Sequence, residues 1–578
     1  MHDARVTRVV RSSLLALVIC ASAAVLPRPA YAGGFELPDN GAQALGRGAA
    51  FVAKADDTTA IQYNPAGLAR QRGTRLYAGG NLFLHSFELQ RAGSFPDDPN
   101  NQATPWGQKP FPLVAASGGP YFTPFIAAST DFASLDRLTV AVGLFAPPSV
   151  GNRTFPLGVR GAPAASRYDF VQSRSTIFYP TASAAYRITP WLDLGLSAHL
   201  VLAKFDLTTV SYADVGAACV NAEYQPCDTR LAIAANATSF GATIGALARP
   251  SKSVALGLSI RTPINLAAQG TITPSAPKLA SIQVAPGNAI LSTRLPLMIR
   301  AGGRYVSMDR DFEVYDLELD ATFEAWSSAQ GDGPRIQATS LGSFKNIDTL
   351  IVHGYSNTFS LRAGGAYNFE VFDGVFSLRA GGYFDSAATS FAYTRLDYDT
   401  LAKIAGTLGF GYRHGAFGVD LGYAAAASVS RLVGTGQGDV RPLNVSKEGK
   451  PLDNGGNLLP AVNEGAYRGF THILALGVSV TFDELFGAAR PFHYGNAYER
   501  GYVGEGSEDK GDKDKGDKDK GDKDKGDKDP EKAPPERKPD PKPEPRPEAK
   551  PEPKPVPKPA PRPDKPPEKK HEWWEDQD

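Results

Sequence analysis

Residues 469–482, "GFTHILALGVSVTF", alternate without a break: Leu474, Leu476, Val478, Val480 and Phe482 fall on one face, and Ile473, Ala475, Gly477, Ser479 and Thr481 on the other. A period of two belongs to a strand whose faces meet different surroundings. The same alternation runs through "TIFYPTASAAYRI" and "WLDLGLSAHLVLAKF", through "SFGATIGALA" and "VALGLSIRTPINL", and through "LPLMIRAGGRYV" and "DFEVYDLELDATFEAW". Each pair is joined by a tight connection, at Thr189-Pro190, at Arg249-Pro250-Ser251 and near Asp309, and reads as a hairpin. Residues 74–88, 121–132, 137–146, 358–369, 374–385, 402–413 and 416–430 repeat the pattern. The total is about fourteen strands, an even number as single-chain outer-membrane barrels require.

The connections follow a rule. Tight ones at 133–136, 189–190, 249–252, 307–310, 370–373 and 413–415 alternate with long ones near 92–120, 147–174, 208–230, 271–294, 327–357, 386–401 and 432–468. In a transmembrane barrel the short turns lie on the periplasmic side and the long loops outside. A soluble sandwich does not predict that strict alternation. The fold expected for residues 74–482 is therefore all-β, a transmembrane antiparallel β-barrel.

The ends of the chain change the picture in two ways. Arg5, Arg8 and Arg11 precede the apolar run "SSLLALVICASAAVL" and then "PRPAYA", with Ala30 and Ala32 placed for cleavage before Gly33. Residues 1–32 read as a secretory signal peptide. Ile19 stands before Cys20 where lipoprotein processing needs a small residue, which argues against a lipid anchor there. Beyond the signal, no uninterrupted apolar stretch reaches the roughly 18 to 20 residues of a membrane-spanning helix. From residue 483 the composition turns to "GDKDK" repeats and then to "KPDPKPEPRPEAKPEPKPVPKPAPRP", a solvated coil followed by extended polyproline II. An even-stranded barrel returns its last strand to the side where it began, so this disordered tail is expected in the periplasm. Its end, "HEWWEDQD", carries Trp573 and Trp574, a candidate docking peptide for a cell-wall or inner-membrane partner, with a partnerless appendage as the plainer reading.

Formal charge is zero, from 61 basic and 61 acidic residues, and gives no reason to expect nucleic acid as a partner. Cys219 and Cys227 form a close pair in "ACVNAEYQPCDT". In an oxidising compartment this predicts a disulfide pinning a surface loop, and the absence of a nearby histidine disfavours a metal site. No G-x-S-x-G, Walker A or metal-spaced His or Cys cluster is present, and no cofactor or metal is expected. The expectation is not an enzyme; an outer-membrane lipase or deacylase and a general polar porin are the alternatives.

Residues 33–73 precede the wall and are too apolar and too patterned for a tail. "ADDTTAIQYNPAGLAR" carries Asn64-Pro65-Ala66-Gly67, in which Pro65 fixes φ, Gly67 supplies backbone freedom and Asn64 bonds its own backbone, making a rigid turn. With the Gly-Arg-Gly element at Gly46 to Gly48 and the acidic pair Asp56 and Asp57, the stretch resembles the FadL/TodX family of outer-membrane transporters of long-chain fatty acids and aromatic hydrocarbons. "YPTASAAYRITPWLDLGLSAHL", "VALGLSIRTPI" and "LELDATFEAWS" resemble family segments too. The resemblance implies that residues 33–73 fold into the lumen as a hatch. It further implies a monomeric, passive channel for a hydrophobic small molecule, set in outer-membrane lipid and lipopolysaccharide, with the loops near 208–230 and 271–294 in the places of the family's capture loops.

With apolar side chains assigned to lipid, alternation turns Asp316, Glu318, Asp320 and Glu324 inward, and on neighbouring strands Arg300, Arg304, Arg362 and Arg379. A network bracing wall and hatch is one reading, since lumen charges are cheaper when paired. The other is that one of these arginines receives a substrate carboxylate.

Overall fold

The computed structural model describes residues 40–95, 107–132, 135–147, 152–213, 225–275, 284–329, 334–339, 347–445 and 460–485. The signal peptide, Gly33, Cys219 and the tail with Trp573 and Trp574 lie outside them. The wall is a closed antiparallel barrel of 14 strands. In chain order these are β1 Arg75–Arg91, β2 Tyr121–Thr130, β3 Leu138–Phe145, β4 Thr176–Thr189, β5 Leu192–Ala213 and β6 Asp228–Ser251. There follow β7, in two pieces, Val254–Arg261 and Ile264–Pro274, and β8, also in two, Gly287–Leu295 and Met298–Asp309. The wall continues with β9 Phe312–Glu324, β10 Thr358–Val371, β11 Gly374–Asp385, β12 Lys403–His414, β13 Phe417–Val433 and β14 Gly465–Thr481. β1 closes the ring, pairing with β2 on one edge and with β14 on the other from Arg75↔Thr481 to Arg91↔Gly465.

Alternation sorts the side chains as expected. Leu194, Leu196, Leu317, Leu319, Leu474 and Leu476 stand exposed on the outside, while Asp193, Ser197, Asp316, Glu318 and Thr471 are buried inside. An apolar exterior around a polar interior is the inverse of a water-soluble domain and fits a wall solvated by lipid.

Two departures from the sequence reading have physical reasons. β5 and β6 are 22 and 24 residues long and stay paired to Tyr212↔Asp228, well beyond the expected end at Phe205. Lys204 and Asp206 face outward there, so the lipid-facing apolar signal stops while the ladder goes on. β7 and β8 are interrupted at Thr262-Pro263 and Pro296-Leu297, where each proline lacks a ladder donor. The two gaps lie opposite each other, between the pairs Arg261↔Met298 and Ile264↔Leu295.

Residues 40–71 enter the lumen, with α1 Ala42–Gly46, α2 Ala60–Tyr63 and a 3-10 turn Pro65–Arg70. Every residue of this stretch is buried except Asp56, which is intermediate. Its exit is tied to the last strand: the Thr74 N–H donates to Asp483 at 2.5 Å, and the Phe482 N–H donates to the Thr74 carbonyl at 2.8 Å.

Candidate functional site

The Asn-Pro-Ala-Gly turn is a joint between the lumenal segment and the wall. Asn64 is extended, and its side-chain oxygen accepts from the Ala66 N–H at 3.2 Å. Its amide nitrogen donates to the Val52 carbonyl at 2.8 Å within the segment and to the Ala246 carbonyl of β6 at 3.0 Å. Pro65 starts the 3-10 turn, where a missing N–H costs nothing. A side chain at Gly67 would lie 2.0 Å from the Ala55 carbonyl oxygen, so only glycine lets the two passes of the segment touch.

The wall is shaped to receive this backbone. A Cβ at Gly195 would stand 2.3 Å from the Ala66 nitrogen, and one at Gly245 would stand 2.1 Å from the Asn64 side-chain oxygen. Gly46 meets Gly409 at 2.6 Å in the same sense, and Gly48, at φ +69, meets Gly382. Lumen-facing glycines on separate strands thus let backbone lie on backbone.

Between Gly46 and Gly48, Arg47 is wholly buried and reaches β9. Its nitrogens donate to Asp316 at 3.0 and 2.6 Å, to Glu318 at 3.1 Å and to the Ala50 carbonyl at 2.9 Å. Asp320 accepts from the N–H groups of Phe51 and Val52 at 2.7 and 3.0 Å, and Glu318 from those of Ala53 and Lys54 at 2.7 and 3.2 Å. The inward acidic strip of β9 is therefore a receptor for residues 47–54. Glu324, at the end of that strip, is buried and instead accepts from Trp326 and Thr358. Asp57 accepts from both the N–H and the hydroxyl of Thr59, while Asp56 accepts from Gln43 at 2.6 Å and pairs with Lys54 at 3.0 Å.

All four arginines read as lumenal are engaged by the protein. Arg304 pairs with Glu313 and with Asp316 at 2.6 Å, and Arg300 donates to the Gln62 carbonyl at 3.0 Å and lies over the Tyr63 ring. Arg379 pairs with Asp420 at 2.6 Å and donates to Gln43 at 3.0 Å, and Arg362 pairs with Asp385 at 3.4 Å.

Beside this ionic sector, much of the inward face from β2 to β7 is apolar. Phe125, Tyr179, Val201, Phe205, Ile233 and Leu266 face inward from β2, β4, β5, β6 and β7 and pack in one cluster that ends on Ile61 and Leu68 of the lumenal segment. Alternation alone did not mark them as a site. The available signal was "HLVLAKF", apolar on both faces where a polar-lined wall would be apolar on one.

Above the wall the outer loops close over a second apolar cluster that includes Phe95, Phe111, Phe155 and Phe170. Asp169 pairs there with Arg395 at 3.0 Å and accepts the Leu396 N–H at 2.8 Å, and His353 bonds Asp397 at 2.7 Å. Burial pushes the Asp169 carboxyl up to about 6 against the pull of Arg395, with Asp397 adding to the rise. Cys227 is buried and disulfide-bonded. At the tight-turn end, a cavity of about 1480 Å³ opens beneath the lumenal segment, lined by Gln71, Arg72, Arg187, Arg249, Arg304 and Glu313 among others. Among the described residues, no His, Cys, Asp and Glu side chains gather into a metal-holding group.

A lipid-facing barrel with its lumen filled by its own N-terminal segment defines a class, the plugged outer-membrane transport proteins. The chain belongs to the outer membrane protein transport protein family (OMPP1/FadL/TodX), which matches residues 23–440. Among solved structures it is similar to a Pseudomonas aeruginosa FadL homologue, with TM-score 0.61, 16% identity, and 78% of this chain and 100% of that one covered. It is also similar to the Ralstonia pickettii toluene transporter TbuX, with TM-score 0.51, 15% identity and coverages of 77% and 99%. The Pseudomonas putida toluene transporter TodX gives 0.52, 15%, 77% and 98%. No curated protein matches the sequence.

Proposed function

We propose that this protein takes up hydrophobic small molecules, long-chain fatty acids or aromatic hydrocarbons, passively and as a monomer, with residues 33–73 acting as a hatch. The observation that carries the reading is the apolar inward face that runs down β2 and β4 to β7 and ends on Ile61 and Leu68 of the segment blocking the lumen. A water-filled porin has no use for such a face, and burying it is favourable only for a solute that leaves water with it. The toluene transporters among the similar structures agree with this reading. Ligand gathered by the outer loops would pass along the apolar sector and be released when the hatch shifts on its ionic receptor. Since the wall begins and ends at the tight-turn face, the tail after residue 485 would start in the periplasm, as a spacer or docking arm.

Uptake by a strain lacking its own transporter tests this, comparing oleate, toluene and a small sugar. Hydrophobic uptake without sugar passage is expected. Sugar passage with no hydrophobic uptake would replace the reading with a general porin.

A further inference from the structure

Eight residues other than glycine stand at positive φ among the described residues, and six of them, Gln108, Phe132, Arg160, Arg310, Phe372 and Asp373, sit exposed in turns and loops. The other two are Ala49, at +57, and Ala55, at +35, and both are buried in the lumen. Alanine gains nothing in this region. It has no side-chain oxygen to bond locally, as Asn and Asp have, and its Cβ crowds the following carbonyl oxygen. Two such residues close together in one packed segment are held there by the structure around them.

The two alanines bracket the stretch that β9 grips. Residues 51–54 turn four successive N–H groups toward two carboxylates, those of Phe51 and Val52 to Asp320 and those of Ala53 and Lys54 to Glu318. Successive N–H groups converge on an anion where left-handed residues fold the chain into a concave nest, so the grip and the strain come from one backbone shape. Further bonds fix each end. The Ala49 N–H donates to the Ala44 carbonyl at 2.8 Å, and the Ala55 N–H to the Phe51 carbonyl at 3.1 Å. Glycine would take either φ without steric cost, so the alanines keep a strain that a single substitution would remove.

We propose that residues 49–55 form a loaded latch, in which backbone strain at Ala49 and Ala55 presses the stretch away from β9 and the four bonds to Asp320 and Glu318 hold it down. Once those bonds part, both alanines relax to negative φ, and reclosing has to rebuild the strain. Strain that is lost on opening lowers the cost of opening and leaves the wall as it was. The inference rests on the uptake reading above, in which residues 33–73 act as a hatch, and adds how that hatch is poised to move.

Amide hydrogen exchange of the purified full-length protein in detergent reads the opening of this stretch without requiring transport, because the N–H groups of residues 51–54 exchange when they leave the carboxylates. Ala49→Gly and Ala55→Gly remove the strain. Ala50→Gly is the control: it lies in the same stretch without a positive φ, loses the same methyl and gains the same chain freedom. Protection of residues 51–54 is expected to be about fivefold higher in each of the first two variants than in Ala50→Gly, as relief of the left-handed penalty of one alanine implies, with protection of the β1–β14 ladder unchanged. Equal protection of residues 51–54 in the three variants overturns the proposal. A rise that spreads to the β1–β14 ladder overturns it as well, since the strain would then bear on the whole fold and not on the latch. Wild type that moves neither oleate nor toluene defeats the uptake reading, while exchange still decides the latch.

Discussion

Arg47 of the hatch and Asp316 of β9 form a two-pronged ion pair, at 3.0 and 2.6 Å, with both side chains wholly buried. Such a pair contributes little net stability against an apolar substitute, because desolvating two charges offsets their attraction, but breaking it from one side strands the other charge. Its value is positional. On β9 the seat of residues 47–54 is ionic.

Arg47→Met leaves Asp316 its bond from Arg304, so it should cost about 3 kcal/mol of folded or hatch-seated stability, the low end for breaking a buried ion pair. Adding Asp316→Leu also takes an acceptor from Arg304 and from the Ala366 N–H, so it should recover only part of the loss. Thermal unfolding in detergent measures both. A double variant no better than the single would show that the pair does not act as a unit.

The glycine contacts predict a second route to an open lumen. Gly195→Val places a side chain where the Ala66 nitrogen already lies 2.3 Å from the added Cβ, so the joint at Asn64-Pro65-Ala66-Gly67 cannot seat. The strand itself gains β propensity and should still assemble. Planar bilayer conductance is expected to rise, as it should on deleting residues 33–72; a closed, wild-type record would mean that the joint is not what holds the hatch.

A polar group in the apolar sector should slow transport without loosening the hatch. Ile233→Asn leaves an amide in the buried lumenal cluster, at a cost of about 1–3 kcal/mol for each unmet polar group that an apolar solute cannot satisfy. Toluene uptake should drop several-fold at unchanged conductance. Unchanged uptake would move the path to another part of the lumen.

Asp169 makes the outer loops sensitive to pH. Its carboxyl is pushed above its ordinary value to about 6, so the folded loops bind a proton that the opened loops release. By linkage, that stabilisation is fully present below the ordinary value of 3.8 and is lost as pH rises through about 6. The groups facing it are Arg395, Asp397, His353 and the Leu396 N–H. Amide protection factors around residues 163–170 should be higher at pH 5 than at pH 7.5, and Asp169→Asn should flatten the difference.

Strand number, hairpin pairing and the inward turn of Asp316, Glu318 and Asp320 were legible because a wall between lipid and lumen forces a period of two on every strand. The breaks at Pro263 and Pro296 were written in the residues too, though only the ladder shows that they face each other. The seating of the hatch was not legible. Gly195, Gly245 and Gly409 look like ordinary small residues of a strand until a second backbone lies against them, more than a hundred positions away in sequence. Nor does alternation distinguish Arg304, with two carboxylates of β9 in reach, from Arg187, which shares one Asp193 with two other arginines. Direction is a property of one strand; charge balance is a property of several.

The bond from the Thr74 N–H to Asp483 brings the root of the hatch and the root of the chain's C-terminal extension to one point. Mechanically, the closing strand is anchored along its whole length by its ladder to β1, so a pull applied beyond residue 485 meets a stiff wall behind it and a single hydrogen-bonded knot in front. Across that knot lies the turn at Gly73, whose N–H is held to Asp131 at 3.2 Å and through which residues 40–71 join the wall. Force entering through the chain beyond residue 485 would act on that turn and on the root of the first strand together.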